Sequence, residues 1–399
     1  MENTSCLVLA PHLVYPTRTG ANILIDRRWC AFSSFVSHVD IVAAHEAMRF
    51  VDGELVARTP FNNKHRSKGA ASARTLLRNS HYLREKFVTK RFIAEARHRM
   101  DDRSYSLVVG SFLYTLPLLG TDPHADSRHH IIETHNDEFL WYRHLCEATS
   151  NPLVKAVASL SEKWSARQLQ RSTSAHPLFL HLTQSDVDGF RKIVPDHQYL
   201  VAPIGVSIPE TLPESKRSGD DIHLLFVGSL DVKMNVDALS HFANTFFPHL
   251  KARLGEKLFV DIVGRSPGDA VQRLAEKHAW RLHADVSENQ LASLLRKASF
   301  TFLPFPYGTG AKLKLLESLA HGVPFLATTH VRAQLDSIPP LCLFDNAPSA
   351  WLSHIQSTNA NGQSLEDRMA LVDVAKGHSW EASAKRVYDY LANNQAVAM

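Results

Sequence analysis

The sequence predicts an α/β chain of two Rossmann-like domains, each a parallel sheet wrapped by helices. Three observations carry that prediction. Short apolar runs of strand length alternate with helical patterns from Leu7 to the C-terminus. The alternation is interrupted at 207–221, a stretch rich in Pro, Glu, Lys, Ser and Gly without periodicity, and then begins again. Finally, 399 residues exceed one ordinary core, and two domains of about 200 residues each are the expectation. The predicted division is 1–206, a linker over 207–221, and 222–378, followed by a C-terminal helix over 379–396.

In the first half, Leu7 to Ala10 reads as a buried strand, followed by a Pro-bounded loop that ends at Gly20. A helix beginning near Asn22 turns Ile23, Leu24, Trp29, Ala31 and Phe32 inward, and Val39 to Ala43 returns as a strand. Asp52 to Phe61 reads as a hairpin-like excursion. From Ser72 to Met100 the pattern is helical, with Val88, Phe92, Ala96 and Met100 in one row four apart. Strands are expected at Leu107–Gly110, His130–Glu133, Phe179–Thr183 and Tyr199–Pro203, with helices through Trp164 and after Ser185. His135 falls just past a strand end, the edge of a parallel sheet where ligands sit.

The second half repeats the plan. Strand Ile222–Val227 leads to a turn at Gly228 and a helix over Asn235–Ala252. Strand Leu258–Val263 leads to a turn at Gly264 and a helix over Asp269–His278. A short strand near Trp280–His283 and a helix over Glu288–Lys297 follow. Next come a buried strand Phe300–Phe305, a Gly-rich turn over Tyr307–Gly310, a short helix, and a strand Val323–Thr328. In the short helix Leu313, Leu316, Leu319 and Ala320 form the apolar face, which places Lys314 in the first turn and Glu317 one turn deeper. Gly322 and Pro324 stop it. The final helix, from Ser379 to Asn393, carries Trp380, Ala384, Val387, Tyr388 and Leu391 as its apolar positions.

The composition, 44% apolar and 21% charged, is that of a globular protein, and no apolar run approaches the length of a membrane span. The N-terminus does not read as a signal peptide, and Cys6, Cys30, Cys146 and Cys342 lack metal or redox spacing, so a cytoplasmic protein with reduced thiols is expected. Residues 62–103 hold 12 Lys and Arg against 4 Asp and Glu, a net of +8 in a chain whose formal charge is +4. One reading of this stretch is peripheral contact with an anionic membrane, at its inner face, or with a lipid-linked acceptor. The other is a solvated helical face. Nucleic-acid binding is not expected, because the stretch lacks interleaved aromatics and any known module.

Three turns in the second half each follow a strand of the same parallel sheet: Gly228 with Lys233 beyond it, Gly264 with Arg265, and Gly308, Thr309 and Gly310 with Lys312 and Lys314. Helix N-termini and cations converging on one edge suit a diphosphate, and a carboxylate at Glu317 could take two hydroxyls of a ribose. No paired-acid metal site is visible there, and neither a metal nor another cofactor is expected. Dinucleotide and P-loop motifs both fail: Leu313 stands where the third glycine would be, and Ala311 where the P-loop lysine would follow Gly310.

The stretches Phe226–Leu239, Ile262–Arg265 and Tyr307–Pro324 together resemble the retaining glycosyltransferases of family four, in the branch with a Gly-rich turn. Gly20, Glu133–Glu138 with Arg143, Leu182–Asp186 and His378–Glu381 extend the resemblance over nearly the whole chain. It implies the GT-B fold: two Rossmann-like domains facing across a cleft, with the C-terminal helix crossing back to an acceptor-side first domain. It also implies a nucleotide-diphosphate sugar as donor, a glycan or lipid-linked acceptor, and a role in surface polysaccharide or glycoconjugate synthesis. Residue by residue, Glu317 matches the ribose-binding glutamate, and Lys314 with Gly308 to Gly310 matches the diphosphate contacts. Lys233 and Arg265 match candidate phosphate partners, Asp285 and Val286 the base-binding segment, and His135 a histidine near the transferred sugar. Thr309 stands where many relatives carry a glutamate, which implies that main-chain N–H groups at Thr309 to Ala311 hold the sugar instead. Lys312 stands for an arginine, a loss of bidentate geometry. Two other activities are compatible with the same scaffold, a sugar-nucleotide epimerase or hydrolase and a silent nucleotide-sugar-binding protein.

Overall fold

The computed structural model describes residues 4–17, 19–135, 138–171, 177–210, 212, 220–307, 313–335 and 338–395. It divides the chain into two compact units, one of Met1–Gly205 with Trp380–Met399 and one of Val206–Ser379. Most of the stretch expected to be a linker, 207–221, lies outside the described residues.

The first unit runs β1 (Ser5–Leu9), α1 (Gly20–Phe32), β2 (His38–Val42), β3 (Glu46–Val51), β4 (Glu54–Pro60), α2 (Lys68–Arg78), α3 (Tyr82–Phe87), α4 (Lys90–Met100), β5 (Tyr105–Ser111) and α5 (Leu116–Leu119). It continues through β6 (His129–Glu133), α6 (Glu138–Ala148), α7 (Pro152–Arg171), β7 (Leu178–His181), α8 (Gln184–Arg191) and β8 (Tyr199–Val201). The eight strands form one sheet in the order β4-β3-β2-β1-β5-β6-β7-β8. From β2 to β8 every pair is parallel, while β3 and β4 add an antiparallel edge hairpin. All five residues of β1 are buried, as expected of a strand covered on both faces, whereas β4 is exposed along its length and blunted by Glu54, Arg58 and Pro60. The chain order reverses between β1 and β5, so the loops after these strands flank the switch point.

The continuous helical pattern expected over Ser72–Met100 is three helices instead. Asn79 takes a left-handed conformation that ends α2, and Thr89 caps α4. The row Val88, Phe92, Ala96 and Met100 is buried, but Val88 lies at the end of α3 rather than in the same helix. Asp40 gathers the flanking charges, accepting both arms of Arg49 at 2.8 Å and the Tyr105 hydroxyl at 2.5 Å.

The last helix, α16 (Trp380–Gln395), belongs to this first unit. A buried ion pair holds it there. Arg28 of α1 donates to Glu133 at 2.5 Å, to Ser383 of α16 at 3.1 Å, and to the carbonyls of Ala202 and Pro203 at 2.7 and 3.0 Å. Trp29 donates to the second Glu133 oxygen at 3.0 Å. Arg28 and Glu133 are fully buried, a placement tolerated because nearly every donor has a partner.

The second unit runs β9 (Ile222–Val227), α9 (Lys233–His241), α10 (Phe247–Leu254), β10 (Leu258–Gly264), α11 (Asp269–His278), β11 (Arg281–Ala284), α12 (Glu288–Lys297), β12 (Phe300–Leu303), α13 (Leu313–Ala320), β13 (Phe325–Ala327), β14 (Leu343–Phe344), α14 (Pro348–Asn361) and α15 (Leu365–Lys376). Its six strands are all parallel in the order β11-β10-β9-β12-β13-β14, with the switch point between β9 and β12. The single helix expected over Asn235–Ala252 is broken by a π turn at Phe242–Phe246. Pro248 has no N–H for the carbonyl four residues earlier, and the wider turn absorbs that loss. The turn also drives Phe242 and Phe246 into the core, where their rings lie 4.3 Å from Phe302 and 4.1 Å from Trp351 respectively.

Candidate functional site

The expected turns at Gly228 and Gly264 lie at the carboxyl end of the second unit's sheet, and main-chain bonds knit three loops together there. Gly228, directly after β9, donates to Val263 at 2.9 Å, and Leu230 donates to Arg265 at 2.8 Å. Asp285, after β11, donates to Gly264 at 3.0 Å. The approach is so close that a Cβ on Gly264 would stand 1.7 Å from the Gly228 carbonyl oxygen. Only glycine fits at that position.

Lys314, in the first turn of α13, reaches back to this edge. Its ammonium donates to Asn235 Oδ1 at 2.8 Å and lies 4.9 and 5.0 Å from the ring centres of Phe226 and Phe305. Asn235 is buried in α9 and is oriented by its own amide, which donates to the Ser229 carbonyl at 2.7 Å. A Cβ on Gly228 would fall 2.9 Å from the ammonium, so the absence of a side chain there gives Lys314 its seat. Asn235, Phe226 and Phe305 position the ammonium, and the Glu317 carboxylate one turn on interacts with it electrostatically.

Glu317 follows one turn later on α13. Burial pushes its carboxyl above its ordinary value, and the nearby Lys314 pulls it partly back. Gly308, Thr309, Gly310, Ala311 and Lys312 lie outside the described residues. Before that gap, Phe305 is fixed through its carbonyl by the Thr328 hydroxyl at 2.6 Å, which ties the loop after β12 to the end of β13.

Lys233 opens α9 just past the Gly228 turn. Its side chain is 81% exposed and pairs with Asp237 at 2.7 Å, and the Tyr307 hydroxyl donates to the same carboxylate. The first turn of α9 points Lys233 outward and Asn235 inward, and the inward residue is the one that meets Lys314. Asn235 is therefore the site residue that sequence reasoning passed over; it is the buried residue of a turn whose neighbours are exposed or half-buried. Arg265 and Asp285 are exposed at the ends of their loops, and Asp285 adopts a φ of 49°. Val286 packs against the apolar cluster of Leu225, Val263, Leu295 and Val323.

Gly20 and His135 belong to the first unit. Gly20 opens α1, which Thr19 caps by accepting from Asn22, and open space surrounds the position where its Cβ would be. His135 follows β6, with Nε2 3.2 Å from the Ser111 hydroxyl and its ring stacked on Phe112 at 4.0 Å and 9°. Burial and the neighbouring His12 and Arg28 hold it well below the ordinary histidine range, so it is neutral at pH 7. His12, from the loop after β1, is likewise lowered, to about 3, by burial and by His65, and pairs with the Tyr114 hydroxyl at 2.7 Å. Among the described residues no cluster of three or more His, Cys, Asp or Glu has the arrangement of a metal site, and no helix is long and apolar enough to cross a membrane.

Comparison with known proteins follows the same division. Residues 221–357 match the family model described as Glycosyl transferases group 1. No curated protein matches this sequence. Among solved structures, sucrose-phosphate synthase from Thermosynechococcus elongatus superposes with a TM-score of 0.65 at 13% identity, over 99% of this chain and 100% of that one. A structure from E. coli described as trehalose-6-phosphate bound with UDP-2-fluoro glucose gives 0.60 at 11% identity, over 97% and 99%. The pneumococcal O-GlcNAc transferase GtfA in complex with UDP and GlcNAc gives 0.59 at 11% identity, over 98% and 99%. The chain has the GT-B fold, and the match to the glycosyl transferases group 1 model falls in its second unit.

Proposed function

We propose that the protein is a retaining glycosyltransferase that moves a sugar from a nucleotide-diphosphate sugar to a hydroxyl of a glycan or lipid-linked acceptor, in surface polysaccharide or glycoconjugate synthesis. The observation that carries the proposal is the seat of Lys314. A cation positioned by Asn235 and two aromatic rings, beside the glycine turn after β9 at the switch point, suits an anionic leaving group. The solved structures described with UDP and sugar ligands support the same donor class.

In this reading Lys314, Arg265 and the main-chain N–H groups of Gly308 to Ala311, with Lys312, receive the diphosphate. Glu317 takes the ribose hydroxyls, and the loop of Asp285 and Val286 meets the base. In the first unit His135 is assigned to the transferred sugar and Gly20 to the donor. The bond between the anomeric carbon and the phosphate oxygen breaks as the acceptor oxygen bonds to that carbon from the same face. The acceptor proton passes to the leaving phosphate oxygen, so no protein nucleophile is required. Cations and helix N-termini meet the developing charge in place of a metal ion. Lys233 is left out of this set because Asp237 engages it at the surface.

Calorimetry with a panel of nucleoside diphosphates tests the donor assignment. Binding is expected for wild type and weakened in Glu317→Ala; equal binding by both would remove the ribose role. Sugar transfer is expected to survive EDTA. Release of free sugar without any acceptor requirement would instead favour a hydrolase, and binding without turnover a silent protein.

The membrane contact is supported by α2, where Leu76 is 40% and Leu77 86% exposed beside Lys68, Arg74 and Arg78. Glu85 takes up Arg74 and Arg84, leaving a surplus of cations around these leucines. Flotation with anionic liposomes is expected to carry the protein at low salt, and Leu77→Glu is expected to release it.

A further inference from the structure

The turn that leaves β5, at the switch point of the first unit, holds a backbone conformation its own sequence does not favour. Gly110 and Ser111 close the strand and Phe112 follows with φ 68° and ψ 154°, a region that essentially only glycine occupies. The turn is fixed from several sides. The Phe112 N–H donates to the Glu133 carbonyl at 2.8 Å, and the Phe112 carbonyl accepts from the Thr115 N–H at 3.1 Å and from its hydroxyl at 2.7 Å. Thr115 fits there because Gly110 has no side chain; a Cβ would stand 2.4 Å from the Thr115 hydroxyl oxygen.

Burial alone does not account for a phenylalanine in this conformation. The side chain is only half-buried, and an apolar residue of ordinary backbone could supply that much contact. What the turn achieves is more specific. The Phe112 ring lies parallel to the His135 imidazole, with centres 4.0 Å apart at 9°, and meets the His12 ring edge-on at 4.7 Å and 75°. The preceding residue, fully buried Ser111, brings its hydroxyl to 3.2 Å from His135 Nε2. Phe112 thus sets the plane of the imidazole and Ser111 its rotation within that plane. His135 Nδ1 is left buried, with no hydrogen-bond partner among the described residues. A neutral imidazole carries one proton and one lone pair, so the Ser111 bond also selects which of them Nδ1 presents.

We infer that Ser111 and Phe112 are positioning residues for His135: the glycine-like turn lays the Phe112 ring on the imidazole, Ser111 holds Nε2, and Nδ1 is kept for a hydroxyl of the bound sugar. An alcohol both donates and accepts, so it meets Nδ1 in whichever form Ser111 selects. This role deepens the proposed function and rests on His135 being the contact of the transferred sugar.

The test uses the full-length chain with Ser111→Ala, Phe112→Gly and Phe112→Tyr. Glycine adopts the Phe112 backbone without strain, so Phe112→Gly removes the ring and keeps the turn; Phe112→Tyr keeps both. NMR of the ring nitrogens reports the tautomer of His135, assigned with His135→Gln, and the other histidine resonances report that each variant is folded. Calorimetry compares UDP-glucose, UDP-galactose, UDP-N-acetylglucosamine, ADP-glucose and GDP-mannose with UDP, ADP and GDP, which lack the sugar.

Wild-type His135 is expected to show one tautomer at pH 7, and Ser111→Ala a mixture. Affinity for the nucleotide sugar that binds wild type should fall about tenfold in Ser111→Ala, the worth of one hydrogen bond. It should fall in Phe112→Gly as well and return in Phe112→Tyr, while affinity for the parent nucleoside diphosphate holds in all three. Mixed tautomers in wild type, or nucleotide-sugar affinity indifferent to Ser111→Ala and Phe112→Gly, overturn the proposal. Equal losses for the sugar-bearing and sugar-free nucleotides overturn it too, since the two residues would then only support the fold. If wild type binds no nucleotide of either kind, the donor reading falls, while the tautomer measurement still decides whether Ser111 and Phe112 hold His135.

Discussion

Each unit holds a cation near the carboxyl end of its sheet, and the two differ in how far they are enclosed. In the first unit Arg28 is fully buried and surrounded by a carboxylate, a hydroxyl and two carbonyls, which use its fork of donors and cancel its charge. In the second, Lys314 is seated by an amide oxygen and two aromatic faces, and glycine clears the space above it. The planar arginine suits a fixed multidentate role, and the compact ammonium suits an anion that comes and goes. The lesson is that full enclosure by partners marks a structural cation, whereas a part-buried one at the sheet edge is still able to meet a ligand.

That contrast can be broken at several points. The largest effect is expected from Arg28→Met, which leaves Glu133 buried and unpaired and should destabilise the first unit by about 3–5 kcal/mol in urea unfolding. A variant as stable as wild type would remove the structural role. Next, Lys314→Met should lower kcat/KM for sugar transfer about 10²–10³-fold, as expected for loss of one charge-stabilising donor, with little change in unfolding. If unfolding moved and transfer did not, Lys314 would be a second Arg28.

A smaller, signed effect belongs to Glu317. Its folded carboxyl titrates above the unfolded one, so between the two values the native state binds more protons, and stability falls as pH rises through that window. Above it the ionised group is a cost. Glu317→Gln is therefore expected to raise the melting temperature at pH 7, to lose that advantage below the unfolded carboxylate range, and to weaken nucleotide binding. A melting temperature unchanged at pH 7 would contradict the burial argument. The smallest effect is expected for Lys233→Ala: nucleotide affinity within error of wild type, because the ammonium is already engaged by Asp237 at the surface. A clear loss in calorimetry would restore Lys233 to the phosphate set.

Much of the architecture was legible because it is written in local periodicity. Strand-length apolar runs, the glycine after β9, and the helix that carries Lys314 and Glu317 three residues apart follow from spacing within a few residues. Local spacing was less reliable wherever a partner lay far along the chain. The Ser72–Met100 pattern looked continuous because the Val88 row is buried, yet the backbone turns at Asn79 and again before Thr89. The helix after Lys233 looked uniform because a π turn keeps the apolar residues inward while shifting their phase.

By itself, then, the sequence determined two α/β halves and the helix that carries Lys314 and Glu317 one turn apart. Tertiary structure alone decided which neighbours that pair would have. Asn235 lies 79 residues from Lys314, and which face of α9 turns inward depends on packing that spacing along the chain does not show. The need for glycine at Gly264 arises from the Gly228 carbonyl of another loop, and the stacking of Phe112 on His135 joins loops that follow two different strands. Contacts of this kind depend on sheet order and loop geometry, which a period of two or 3.6 residues does not encode.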